Sequence, residues 1–235
     1  MEVLTEWGIN IYKFKLDEND KILAEIGKSE MVTESPSYTE EWNAKMSRVI
    51  TDNGQDVKLY VIQFLKEKIK KLTHNFNRIS LHYCGNTDCI CSDIWINIYK
   101  TGDFQGTHRH IDDGFSDGFP STTISRWDAL DLPSLHNRSP IFSFVYFAKY
   151  DHEKDAHFYI GNPKTTKLGM MEGDLQITEE KCIIVEQGDL IIFPSYLPHY
   201  VEKQKNVGPR ITISGNIFRE RDRTGMVCDA GNGRA

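Results

Sequence analysis

Four side chains able to bind a metal fall within six residues: His108, His110, Asp112 and Asp113, in the stretch Gly102–Gly114. The stretch follows a strongly apolar run, Ile94–Tyr99. If that run is a strand, the cluster sits where the strand ends and a loop opens. His110 and Asp112 are two positions apart, and in an extended backbone such residues point the same way. An imidazole and a carboxylate would then converge on one point. With a later histidine they would form a 2-His-1-carboxylate facial triad, leaving three positions open on a non-heme Fe(II). Taken alone, the pair reads as a polar turn rich in Asp and His.

A second stretch changes that reading. In Gly188–Val201 a strand runs into Pro194, and a compact turn then delivers His199. Eleven residues later comes the alternating run Arg210-Ile-Thr-Ile-Ser214, which puts Arg210, Thr212 and Ser214 on one face. An inward-facing arginine is expensive to bury unless it meets an anion, and its planar fork suits a carboxylate. The hydroxyl of Thr212 is placed to add a hydrogen bond to the same group.

The elements that must carry these residues are mostly strands. Residues 1–16 alternate around Trp7, Ile9, Ile11, Tyr12, Phe14 and Leu16, which predicts an opening strand. Short helices are expected over Lys21–Ile26 and Glu40–Val49. A longer amphipathic helix is expected over Gln55–His74, where Val57, Tyr60, Val61, Phe64, Leu65, Ile69 and Leu72 recur at helical spacing. Strands are then expected at Asn77–Tyr83, Asp93–Lys100, Pro140–Lys149, Ala156–Ile160, Leu175–Thr178, Cys182–Glu186, Asp189–Phe193 and Arg210–Phe218. Thr122–Asn137 has no clear pattern. Many short strands after one long helix predict a β-sandwich or barrel with helices packed outside.

Composition narrows the class further. The 235 residues suffice for a substantial core, and 39% hydrophobic with 26% charged residues is an ordinary globular balance. A net charge of −6 disfavours a non-specific nucleic-acid or anionic-membrane binder. No apolar run approaches the roughly 18 residues a membrane span needs, and the N-terminus lacks a signal-peptide pattern, so an intracellular, cytoplasmic location is expected. Five cysteines, an odd number, do not suggest a disulfide scaffold. Cys84, Cys89 and Cys91 cluster, but neither Cys182 nor Cys228 supplies the second pair that a structural zinc site favours, and they read as reduced thiols.

Taken together, His-x-Asp after a strand, a Val-Tyr-Phe strand, Gly-Asp-Leu-Ile-Ile-Phe-Pro with a His, and Arg-x-Thr resemble the Fe(II)- and 2-oxoglutarate-dependent oxygenases. The nearest resemblance is to their prolyl-hydroxylase-like branch and to small oxygenases of phage and bacterial genomes. It covers roughly residues 93–218, and its specificity lies in the order and spacing of motifs that are each weak. The resemblance implies a mainly β, α+β fold: a double-stranded β-helix (jelly-roll, cupin-like) core at 93–218. A strand and helical support region at 1–92 would pack on it within a single domain, and 219–235 would be a tail.

It also implies roles. His110, Asp112 and His199 would hold Fe(II), Arg210 would pair with the distal carboxylate of 2-oxoglutarate assisted by Thr212, and Tyr99 and Tyr146 would line the cosubstrate pocket. Oxidative decarboxylation of 2-oxoglutarate with O2 would drive hydroxylation of a substrate, whether a protein side chain such as prolyl or a small metabolite. One departure leaves two ligand registers open. His108 and His110 also form a His-x-His of the kind carried by the small phage and bacterial group, and His108 stands at the family's usual distance from Gly102. His110 with Asp112 is the preferred register and His108 beside His110 the alternative. The rival readings are a cupin-like metalloprotein using His108, His110 and His199 without 2-oxoglutarate, and a non-catalytic interaction protein on the same scaffold.

Overall fold

The computed structural model describes residues 1–28, 45–48, 65, 67–69, 89–110, 140–164, 167–168, 175–176 and 179–219. The chain opens on a hairpin of β1 (Glu2–Glu6) and β2 (Ile9–Lys15), rather than on one continuous strand. Trp7 and Gly8 turn it with φ of 52° and 78°. Positive φ at both central residues gives a turn whose twist matches that of the flanking strands, and glycine accepts it without a Cβ penalty. The short helix expected at Lys21–Ile26 is present as α1 (Asn19–Lys28).

The helix expected at Glu40–Val49 is not observed at its described positions: Lys45–Arg48 form β3, an edge strand. The reason lies in pairing, because Lys45 to Arg48 run antiparallel to Ile98 to Trp95 and the sheet outweighs a weak local helix pattern. Of the expected helix at Gln55–His74, Leu65 and residues 67–69 are described and are helical. The expected strand at Asn77–Tyr83, the unpatterned Thr122–Asn137 and the tail beyond Arg219 lie outside the described residues.

The remaining strands are β4 (Cys89–Tyr99), β5 (Gln105–His108), β6 (Phe142–Lys149), β7 (Phe158–Gly161), β8 (Lys167–Leu168), β9 (Leu175–Gln176), β10 (Glu180–Cys182), β11 (Asp189–Pro194), β12 (His199–Val201) and β13 (Arg210–Arg219). They build a seven-stranded sheet in the order β1-β2-β11-β6-β13-β4-β3 and a four-stranded sheet in the order β10-β7-β12-β5. A separate ribbon pairs β8 with β9. The chain alternates between the two larger sheets from β4 to β7 and again from β11 to β13, which is a jelly roll, the double-stranded β-helix that the motifs imply. The N-terminal hairpin is hydrogen-bonded into the large sheet through β2 and β11.

Central strands of the large sheet are buried on both faces, which explains why they read as continuous apolar runs. On β6, Phe144, Tyr146 and Ala148 join Ile22, Ile26, Leu65 and Ile69 on the helical side. Val145 and Phe147 point the other way, toward Phe158, Ile160 and Val201 of the small sheet. Strand β11 divides likewise, with Leu190 and Ile192 outward and Ile191 and Phe193 inward. Complete burial of each such side chain contributes ~1.5–3 kcal/mol, so both faces of the large sheet are committed. Among the described residues, no helix is long and apolar enough to cross a membrane.

Candidate metal and anion site

The site lies between the two sheets. Strand β4 turns into β5 through Lys100–Asp103, where the Lys100 N–H donates to the Asp103 carboxylate at 2.8 Å. Gly102 takes φ of 91° there, and its N–H donates to the Gln204 carbonyl at 2.8 Å. This turn delivers His108 at the end of β5, directly opposite His199 on β12. The compact turn after Pro194 delivers His199 as the first residue of that strand. His110 is tied back when its N–H donates to the Ser195 carbonyl at 2.9 Å, in the turn between β11 and β12.

The three histidines therefore converge, each offering a ligand nitrogen, with these atoms all within 4.8 Å of one another. Two of the rings have their tautomers set by backbone carbonyls, which can only accept. His199 Nδ1 lies 2.9 Å from the Leu197 carbonyl and His108 Nδ1 2.9 Å from the Gly106 carbonyl, so both protons sit on Nδ1. That leaves the Nε2 lone pairs facing the cluster, as a carbonyl partner typically arranges for a metal-binding histidine. His110 Nε2 approaches His199 Nε2 to 3.2 Å. Two cis ligands each ~2.1 Å from one metal would be roughly 3.0 Å apart, so the spacing fits a shared ion.

Electrostatics agrees with this fit. Burial holds His110 down to about 3, with the neighbouring His108 adding to the effect. Burial likewise depresses His199 well below its ordinary value, reinforced by His108 and His110 and opposed by the Leu197 carbonyl. His108 is lowered by burial against its bond to Gly106. Three neutral imidazoles crowded together are the protonation state a metal ion requires.

The other end of the pocket is cationic. Arg210 is fully buried, and among the described residues its Nε and both Nη atoms lack any hydrogen-bond partner. Its guanidinium carbon lies 4.4 Å from the Tyr99 ring centroid, with Phe147 and Tyr150 at 5.6 and 5.7 Å. Ring faces temper the charge but leave the N–H fork unsatisfied. Burial pushes the Tyr99 phenol up to about 12, with the adjacent Arg210 charge pulling the other way, so it stays protonated.

Between the two ends runs a polar strip that sequence analysis did not single out, apart from Thr212 and Ser214. Asn97 Nδ2 donates to Thr212 Oγ1 at 3.3 Å and to Ser214 Oγ at 3.0 Å, and Gln105 Nε2 donates to Asn97 Oδ1 at 3.4 Å. The available signal was the period of two in Trp95, Asn97 and Tyr99, which places Asn97 on the same face as Tyr99.

Of the expected site residues, His108, His110, His199, Tyr99, Arg210 and Thr212 all line this one pocket. Tyr146 does not. It sits on the helical face of β6, where its hydroxyl donates to Asn19 Oδ1 of α1. The period of two explains the correction, because its neighbours Val145 and Phe147 are the residues that face inward. Asp112 and Asp113 lie outside the described residues, as do Cys84 and residues 114–139.

Residues 126–216 match the model of a protein family described as "Putative 2OG-Fe(II) oxygenase". Among solved structures, a Pseudomonas putida prolyl-4-hydroxylase matches with a TM-score of 0.52 at 14% identity, over 90% of this chain and 93% of its own. A 2OG-Fe(II) oxygenase-family oxidoreductase from Burkholderia pseudomallei gives 0.54 at 13%, over 89% and 84% of the two chains. A Trichoplax adhaerens prolyl hydroxylase, solved with a hypoxia-inducible-factor peptide fragment, gives 0.57 at 10%, over 88% and 83%. At such identities the likeness is one of fold. No curated protein matches the chain.

Proposed function

We propose that this chain belongs to the Fe(II)- and 2-oxoglutarate-dependent oxygenases, whose family model its residues 126–216 match, and that it is a hydroxylase that holds its iron through His108, His110 and His199. This is the alternative of the two ligand registers open from the sequence, and the convergence of the three imidazole rings supports it. Fe(II) bound there would supply the coupling of 2-oxoglutarate and O2 to succinate, CO2 and a hydroxylated C–H bond of the substrate.

The chain's own tasks follow from its residues. Arg210 receives the distal carboxylate of 2-oxoglutarate in a bidentate pair, and Tyr99 closes one face of the guanidinium. Thr212, buried beside it, adds its hydroxyl. Phe158, Phe193 and Val201 surround His199 with apolar surface and limit water at the reacting centre. No side chain has to act as a general base. The substrate classes that the reading admits are a protein side chain such as prolyl, a free amino acid or another small metabolite.

The observation that carries the proposal is the buried Arg210 fork, without a hydrogen-bond partner among the described residues, in the same pocket as the histidine cluster. A cupin-like protein could use the same three ligands, but it would have no need of a cation at the far end. The decisive measurement is 2-oxoglutarate-dependent succinate formation with Fe(II) under air, in the native protein and in His199→Ala. Succinate should form in the first and be abolished in the second; full turnover by the variant would refute the site.

A further inference from the structure

We infer that Trp95 is a second anchor for 2-oxoglutarate, its indole N–H donating to the keto-acid end at the metal while Arg210 holds the distal end. The inference rests on the oxygenase reading above and assigns a binding role to a residue that neither the motifs nor the histidine geometry requires.

Among the described residues, four buried side-chain nitrogens or oxygens have no hydrogen-bond partner, and they belong to two residues: Arg210 and Trp95. Both are donors, and both line the same pocket. A buried donor left unmade costs on the order of 1–3 kcal/mol, so such groups are expected to have a partner in the working state. Strand register places the two at opposite ends. Arg210 pairs with Tyr99, whereas Ser214, four residues along β13, pairs with Trp95. That separates the two positions by ~13 Å along the sheet.

The ends differ in their neighbours. Arg210 lies against Tyr99, Phe147 and Tyr150. Trp95 lies against the histidine cluster, its ring centroid 5.8 Å from that of His110. The residue opposite Trp95, Ser214, already accepts from Asn97, as does Thr212 in the middle of the strip. A pocket whose unmet donors stand at its two ends is complementary to a ligand with acceptors at both ends. 2-Oxoglutarate is such a ligand, and the end that reaches the histidines is the keto acid.

The test uses the full chain loaded with Zn(II), which is diamagnetic and supports no turnover. Of the four tryptophan indole N–H signals in a 15N-labelled sample, the one missing from Trp95→Phe should move downfield when 2-oxoglutarate is added without any substrate. Trp95→Phe keeps an aromatic side chain, though a smaller one, and removes the indole N–H, so by calorimetry it should bind Zn(II) as the native protein does and 2-oxoglutarate about tenfold more weakly. Native 2-oxoglutarate affinity in that variant, or an unmoved indole signal in the native protein, would overturn the role of Trp95 alone. Failure of the native Zn(II) protein to bind 2-oxoglutarate would overturn this inference together with the oxygenase reading.

Discussion

Replacing Arg210 with Met tests stability and function through one side chain, with opposite expected signs. The residue is fully exposed to neither water nor any described acceptor: it is 0% accessible and its three guanidinium nitrogens are unpartnered. Methionine has a similar reach, no charge and a flexible stem suited to the space between Tyr99, Phe147 and Tyr150. Replacing buried ionic groups by well-packed apolar side chains is often stabilising, by ~1–4 kcal/mol for ion pairs, and a charge with no partner has less to lose. In a chain of this size each kcal/mol moves Tm by roughly 2–4 °C, so the ligand-free variant should melt several degrees higher. Binding runs the other way. Truncating one partner of a buried, hydrogen-bonded charge pair costs ~2–5 kcal/mol, which at about 1.4 kcal/mol per decade is a loss of roughly 30- to 3,000-fold in 2-oxoglutarate affinity. Differential scanning fluorimetry, with and without 2-oxoglutarate in the presence of Mn(II), reads both effects. The native protein should gain ~2.7 kcal/mol of stability at a ligand concentration one hundred times Kd, and Arg210→Met about 0.9 kcal/mol or less at that concentration. An unchanged ligand-induced shift in the variant would remove Arg210 from the cosubstrate site, and a lower ligand-free Tm would refute the claim that its charge is uncompensated.

Three further substitutions separate the ligand registers and the two faces of β6. If iron takes His108, His110 and His199, then His108→Ala should lower Mn(II) affinity by at least tenfold while Asp112→Ala leaves it within about twofold, measured by calorimetry; the reverse ranking would restore the His110–Asp112 register. Tyr146→Phe, which loses the bond to Asn19 on α1, should cost ~1 kcal/mol in chemical denaturation and leave 2-oxoglutarate affinity unchanged. A several-fold loss of that affinity would return Tyr146 to the pocket.

The jelly roll was legible because its central strands are apolar on both faces and its motifs arrive in a fixed order. The runs at Pro140–Lys149 and Asp189–Phe193 locate β6 and β11 to within two residues. Edges were harder. Gln105–His108 and His199–Val201 are short strands of mixed polarity, and their identity as β5 and β12 comes from pairing with each other and with β7. A four- or three-residue strand contains too little alternation to announce itself. The same limit applies to Lys45–Arg48, whose strand state is imposed by β4. Tyr146 was misplaced for a different reason. In a strand buried on both sides, hydrophobicity does not reveal which residues face the pocket, and the period of two must be anchored by a residue of known direction, such as Phe147, which joins the inward core.

The ligand register was the part that sequence could not decide, and the reason is geometric. His108, His110 and Asp112 are spaced by two, so an extended backbone would aim all three the same way and offer two overlapping pairs. Strand β5 ends at His108, whose position opposite His199 is fixed by the antiparallel ladder. Beyond it, His110 N–H donates to the Ser195 carbonyl. That bond uses the same β11–β12 turn that leads into His199, so the two anchors share one support. Cross-strand pairing therefore brings His108 to the site, the Ser195 carbonyl brings His110, and the Leu197 and Gly106 carbonyls orient the two rings that pair across the strands. These contacts bring the three histidines together, and each of them involves a backbone group that the residue types at 108 and 110 do not encode.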